Sequence, residues 1–542
     1  MKGLRQVLPA IGFVGGIAIA LAFVCKRLGS WYIDDAAISL SYARNLARGI
    51  GLVAQVGDAP VEGFSNPLWV FLESLVMKFA GWYSLAVPRT VTIVLLAALV
   101  VHMLVRYWRD LNRCCAWLFA LLLSVLQPAI SIWAMSGLEN GLLLFLAFEL
   151  LMLFDDPKMC RPYVVSCFTA AMAMTRPDAI LFAAAFPIFV LIRARGVNKS
   201  VARDVTKSLV GVVVVYGGYL LFRRCYFGEW VPNTYFAKAL PTMTSIYEIL
   251  ILGPEMRARL FDALFATFGT ATPWALVVLC VATFCGVFHA RNFLRNCMSV
   301  LIVFCIAAFC YAYLPNDWMP YYRFATVFFV GIYVMISMAV CLYVKSSIRI
   351  LVVGCLMMVS IFNFYCGVTA FVKDAPISVN EVERRGAYFK EWAQLLGLDK
   401  PLVMTADAGG ILWDESVYLL DLGMLCDATI SKCLGEYRKE RDVANFWDYV
   451  FEVRKPDFIA TRAYHSYISD LRSDPRFERD YVPIHQYIDT WILNRYGCVM
   501  YSGDYVRRHH VEGREESLKR LRNLSKSIMY PFDFNLLKSE HN

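Results

Sequence analysis

The chain has 542 residues, 58% hydrophobic and 18% charged, with a mean hydropathy of +0.51. Soluble domains hold roughly 45–50% apolar residues, so the excess excludes an ordinary soluble protein. The formal charge of +9 would suggest a nucleic-acid partner in a soluble chain. Here much of it falls in short loops between apolar runs, where Lys and Arg set membrane orientation.

The first apolar run, 8–24, follows Lys2 and Arg5 and ends in "VCKRL". It lacks a small-x-small cleavage site and reads as an uncleaved span. Next comes "WYIDDAAISLSYARN" (31–45), in which Asp34 and Asp35 head a helix over 36–48 that closes at Gly49. Residues 67–80 are apolar but short and begin at Pro67, which predicts an interfacial or re-entrant helix. Further spans centre on 85–105, 114–132, 140–154, 162–175, 179–192, 208–222, 272–288, 298–314, 325–344 and 350–367. A span takes about 20 apolar residues, so 140–154 and 162–175 are short.

Orientation follows from the basic loops. With the N-terminus inside and 67–80 not crossing, the clusters around Arg106–Arg113, Lys158–Arg161, Arg193–Lys207, Arg291–Arg295 and Lys345–Arg349 all face the cytoplasm. The predicted architecture is a polytopic α-helical protein of the cytoplasmic membrane, with eleven spans and the C-terminus outside. Residues 1–371 form the membrane domain, with a first outer loop over 26–84. Residues 372–542 form an extracytoplasmic α/β domain, in which "PLVMTADAGGIL" (401–412) and "KPDFIATRAY" (455–464) read as strands leaving for turns. Most of the seventeen cysteines fall in apolar runs, and none forms a zinc-type CxxC pair. Cys426 and Cys433 lie in the polar region, where a pairing is open but not fixed by spacing.

The unusual polar motifs all fall on the outer side: Asp34–Asp35 and "VEGFSNPLW" (61–69), "SGLEN" (136–140), "TRPD" (175–178), "FGEWVPNTYFAK" (227–238) and "PNDWMPYYRF" (315–324). Singly, each has a plain explanation. The aspartates can cap a helix, "TRPD" can be a turn with Pro177 opening the next helix, and Trp69, Trp230 and Trp318 can be interfacial anchors. Together they describe an outward-facing site at the membrane surface.

These residues resemble a bacterial family of glycosyltransferases with the GT-C fold, whose best-known members are the mycobacterial terminal arabinofuranosyltransferases of the AftB type. "DDAAISLSYARNLARGIGLV", "VEGFSNPLW", "SGLE", "RPD", "FG…PNTYFAK", "DWM…RF" and "DAGGI" are similar to the family motifs in the same order, over most of the chain. The chain departs at Ala37 and Phe64, where Tyr is usual, and the carboxylates are intact.

The resemblance implies transfer of a sugar, arabinofuranose in the best-known members, from a polyprenyl-phosphate donor to an extracytoplasmic glycan or glycolipid acceptor. A positioned carboxylate that takes the acceptor hydroxyl proton contributes about 10²–10⁴-fold. Asp34 is expected to be that base, with Asp35 as support or alternative. The leaving phosphate calls for cations, and Arg44, Arg176, Lys238 and Arg323 are the outer candidates. Glu62, Asn66, Trp69, Glu139, Asn233, Tyr235, Asp317, Trp318 and Asp407 are candidates for holding sugar or acceptor. No cofactor is required; a divalent ion bridging Asp34 and Asp35 is left open. The glycine turn 408–410 lacks a nucleotide-binding pattern, so acceptor docking or simple packing is expected of it. A transporter or flippase would place its binding residues near the bilayer midplane, often with repeat symmetry, and neither is visible. A scaffold would not need such motifs in five separate outer loops.

Overall fold

The computed structural model describes residues 2–155, 160–194, 198–238, 253–269, 297–314, 318–437 and 440–527. The predicted span 272–288, the loop residues Lys158, Arg195, Arg291 and Arg295, and Asp317 lie outside them. The chain packs as two compact units. One holds residues 1–33, 65–230 and 241–376; the other holds 34–64, 231–240 and 377–542. The predicted boundary at 371/372 falls close to the last of these divisions. The segment 34–64, expected to sit with the membrane domain, packs instead in the unit of residues 377–542.

In the first unit, every predicted span among the described residues is helical. Among the described residues, six helical segments are long and apolar enough to cross a membrane: Leu8–Leu28, Val87–Tyr107, Pro177–Ala194, Lys199–Phe227, Arg323–Tyr343 and Ile348–Lys373. The pair Leu111–Val125 and Pro128–Met135 makes a seventh if its 75° bend is one broken span. Pro128 lacks the amide that would continue the first helix, so it starts a new one. Asn140–Asp155, Pro162–Thr175 and Met298–Tyr313 are shorter helices. The chain is thus a multi-pass membrane protein. Pro67–Ala80 is a separate helix of 14 residues closed by Gly81 in the left-handed conformation.

The second unit is built on a five-stranded mixed sheet in the order β2-β1-β3-β5-β4. β1 (Leu402–Thr405) pairs in parallel with β2 (Tyr418–Asp421) and β3 (Phe458–Thr461). β5 (Tyr501–Arg507) runs antiparallel to β3 and to β4 (Tyr481–Ile488). A core of Met404, Leu420, Ile430, Phe446, Val450, Ile459 and Tyr505 lies against the sheet. The helix Val379–Leu396 opens with a reciprocal cap between Ser378 and Glu381, satisfying two otherwise orphan amides.

Segment 34–64 begins with the helix Asp34–Ala47, with both aspartates in its first turn. Tyr42 then donates to the Val61 carbonyl and accepts from the Gly63 amide, and its ring meets Phe64 edge-on. The Gln55 side-chain amide bonds the main chain of Leu419 in both directions, at 2.7 and 2.9 Å, capping the open edge of β2. Cys426 and Cys433, open to pairing on sequence grounds, are both free thiols.

Candidate active site

Asp34 is buried, only 5% exposed. Its Oδ2 accepts the Gly409 amide at 3.0 Å and its Oδ1 accepts the Gly410 amide at 2.7 Å. Its own amide donates to the Ile377 carbonyl. Burial first, then the neighbouring Asp35, push its carboxyl up to about 7, while the two amides and Arg385 pull the other way. A carboxyl poised there exchanges a proton readily at neutral pH. Asp35 is half-buried beside it.

Arg385 lies on the Val379–Leu396 helix and pairs directly with Asp407, just before Gly409 and Gly410, which open the short helix Gly409–Asp414 where a glycine turn was expected. The sequence reading found Asp407 but not Arg385, which carries no local mark beyond its charge. Arg44, expected at the phosphate, instead grips the carbonyls of Leu412 and Trp413 at 2.8 and 2.6 Å and pairs with Glu415 at 3.0 Å. Burial lowers its guanidinium to about 10 despite Glu415. Its two terminal nitrogens are engaged in holding the 412–415 segment.

Elsewhere in this unit, the Asn233 amide donates to the carbonyls of Met424, Leu425 and Asp427, and its oxygen accepts from Ser431. The Asn233 main-chain amide bonds the carbonyl of Glu62, whose side chain is also buried. These two candidates therefore tie the segment together. Tyr235 and Lys238 are exposed nearby. Asp421 accepts from the amides of Gly423, Leu425 and Cys426. Burial raises it to about 6 against those bonds. It borders a cleft with Gln55, Asp58, Cys426, Tyr449 and Arg454.

The first unit has its own charged centre. Glu139, 3% exposed, faces Arg176 at 3.4 Å and Arg323 at 3.6 Å, and accepts from Asn66 at 2.9 Å. Burial would raise its carboxyl, but Arg323 and then Arg176 outweigh it and hold the group below its usual range. Arg176 also pairs with Asp178 at 2.9 Å, and both guanidiniums lie over the Phe324 ring. Four predicted residues thus come together: Asn66, Glu139, Arg176 and Arg323. Trp69 is fully buried with its indole donating to Gly137, a packing position that leaves no ring face for a sugar. Trp318 is 57% exposed. Glu73, missed from sequence because it reads as one face of an apolar helix, is fully buried, with neither carboxyl oxygen hydrogen-bonded among the described residues. No group of three His, Cys, Asp or Glu that could hold a metal ion gathers among the described residues.

No family model and no curated protein matches the sequence. Among solved structures, the chain is similar to ArnT from Cupriavidus metallidurans bound to undecaprenyl phosphate, at 11% identity and a TM-score of 0.49, covering 91% of this chain and 97% of that one. It is also similar to the oligosaccharyltransferase AglB from Archaeoglobus fulgidus in complex with an inhibitory peptide and a dolichol-phosphate, at 12% identity and a TM-score of 0.49, covering 91% and 74%. Likenesses this remote carry no argument about the chemistry of this chain.

Proposed function

We propose that the chain is a membrane glycosyltransferase of the GT-C type, moving a sugar from a polyprenyl-phosphate donor to an extracytoplasmic glycan or glycolipid acceptor. The observation that carries this reading is Asp34: a buried carboxyl held by two amides, with its proton affinity moved to about 7, in the segment that follows the first membrane-length helix. A capping aspartate on a soluble helix has no need of that environment.

In the proposed reaction, Asp34 takes the proton from the acceptor hydroxyl as that oxygen attacks the anomeric carbon. The bond from that carbon to the phosphate oxygen breaks, and polyprenyl phosphate leaves with the electron pair. Arg176 and Arg323 are the proposed phosphate-binding residues of the first unit, because planar guanidiniums bind phosphate oxygens two at a time. The active site and residues 377–542 are assigned to the outer side of the cytoplasmic membrane by the distribution of Lys and Arg.

The test is to purify the full chain, identify any co-purifying lipid-linked sugar by mass spectrometry, and follow transfer from synthetic polyprenyl-phosphoryl arabinofuranose to an arabinofuranosyl oligosaccharide. Sugar transfer that depends on Asp34 supports the reading. Movement of intact lipid-linked sugar across vesicles without bond cleavage would identify a flippase instead.

A further inference from the structure

We propose that Gly409, Gly410 and Arg385 are positioning residues for Asp34: two glycine amides that fix the direction of its carboxylate, and a guanidinium braced by Asp407 on the helix that packs against those glycines. The inference rests on the reading of Asp34 as the base, and it gives the "DAGGI" stretch a part in the chemistry rather than in acceptor docking.

The geometry is specific. The two amides take one carboxylate oxygen each, at 3.0 and 2.7 Å, so the plane of the group is fixed as well as its position. Both positions demand glycine. A Cβ on Gly409 would collide with the Asp34 carbonyl oxygen and approach Oδ1 to 2.7 Å. A Cβ on Gly410 would lie 2.5 Å from the Glu383 amide nitrogen and the Val379 carbonyl oxygen. The start of the Gly409–Asp414 helix therefore approaches Asp34 on one side and the Val379–Leu396 helix on the other, closer than any side chain permits.

That helix supplies Arg385. Its pairing with Asp407 fixes the guanidinium, and Arg385 favours the charged form of Asp34. The charged groups acting on Asp34 are Asp35 on its own helix and Arg385 on the Val379–Leu396 helix, with Asp407 on the turn as counter-ion to Arg385. Each glycine amide leaves a second lone pair on its carboxylate oxygen, and it is one of these that can take the acceptor proton.

The experiment follows the carboxyl band of Asp34 by infrared difference spectroscopy, subtracting Asp34→Asn from the parent across neutral pH, in the full-length protein in micelles. Removing a positive charge makes ionisation harder, so Arg385→Gln should move the midpoint up by about 1 unit. Arg385→Lys should return it towards the parent value. Asp407→Asn, which strips Arg385 of its counter-ion, should move it down. Misfolding would not produce shifts of opposite sign from the two partners of one ion pair. Unmoved midpoints in Arg385→Gln and Asp407→Asn, with the protein still folded by thermal melting, would overturn the inference. In turnover of polyprenyl-phosphoryl arabinofuranose, the acid limb of kcat/KM should follow the same shifts. If Asp34→Asn keeps full turnover while the infrared midpoints shift as described, the base assignment fails and the positioning of Asp34 stands.

Discussion

The carboxylate of Asp34 accepts a hydrogen bond from the amide of Gly410, 376 positions further along the chain. The bond joins the opening of segment 34–64 to the first turn of the short helix Gly409–Asp414 that follows β1. It places the candidate base within one folded unit, on a scaffold of sheet and helices.

The first prediction concerns the base itself. Asp34→Asn retains the shape and can still accept from one of the two amides, but sets its NH2 against the other and loses basicity. Turnover should fall by about 10² or more. Binding of polyprenyl phosphate, read by calorimetry, should change little. In the parent, kcat/KM should rise with pH through about 7, because Asp34 must be ionised to accept a proton. Near-normal turnover in both Asp34→Asn and Asp35→Asn would leave the aspartates as helix caps and nothing more.

The second prediction concerns Gly409. In Gly409→Ala, the new methyl group meets the Asp34 main chain, so the carboxylate must tilt or the turn must retreat. A misplacement of about 1 Å costs up to 10²-fold in rate. Turnover should fall with little change in polyprenyl phosphate affinity. An alanine variant as fast as the parent would show that the close approach is dispensable.

A third prediction addresses the arginine centre. Glu139→Gln leaves Arg176 and Arg323 without the carboxylate between them. Stranding buried charge in this way costs about 3–5 kcal/mol. The melting temperature should drop clearly. Arg176→Lys and Arg323→Lys keep the charge but lose the planar fork, and should weaken polyprenyl phosphate binding by about tenfold. Parent-like affinity in alanine variants of both would move the phosphate site elsewhere.

A fourth prediction follows from Asp421. Its carboxyl lies at about 6 in the folded protein against an ordinary value of 3.8, so the folded protein binds that proton more tightly than the unfolded chain. The associated stability is full below about 3.8 and is lost as pH rises towards about 6. The stability of the parent relative to Asp421→Asn should therefore decline across that window and level off above it. Thermal melts of the two proteins at matched pH give the comparison. A gap that widens with rising pH would contradict the sign.

Sidedness gives the fifth prediction. Gly409 is buried and makes a poor reporter, whereas Lys390 and Arg203 are exposed. Single cysteines at these two positions, in a background without exposed native thiols, should label from opposite sides, with position 390 outside. Labelling of position 390 only after permeabilisation would remove the outer active site.

The helices were legible because a long apolar run has few alternatives in lipid. The start of the helix at Asp34–Asp35 and its stop near Gly49 were legible because they are local signals, although Asp34 spends its carboxylate on Gly409 and Gly410 rather than on a cap. The attachment of segment 34–64 to residues 377–542 was not, because it rests on Arg44, Gln55 and Asp34 bonding main-chain groups more than 360 positions away. Main-chain acceptors and donors look the same at every residue. Arg44 shows the cost: its charge and outer position suggested phosphate, whereas its partners are carbonyls and Glu415. Arg176, Arg323 and Glu139 were found because each falls in a polar motif at the end of an apolar run, yet no spacing revealed that the three converge.

The joining of residues 34–64 to residues 377–542 sets a timetable for biogenesis. Asp34 leaves the ribosome 375 residues before Gly409 does. At about 5–20 residues per second, that is a wait of roughly 20–75 seconds during which the segment has no partner turn. Until then the carboxylate has neither its amides nor its guanidinium. A nascent chain truncated before Gly409 would carry all six membrane-length helices among the described residues, and its Asp34 would still lack both amides.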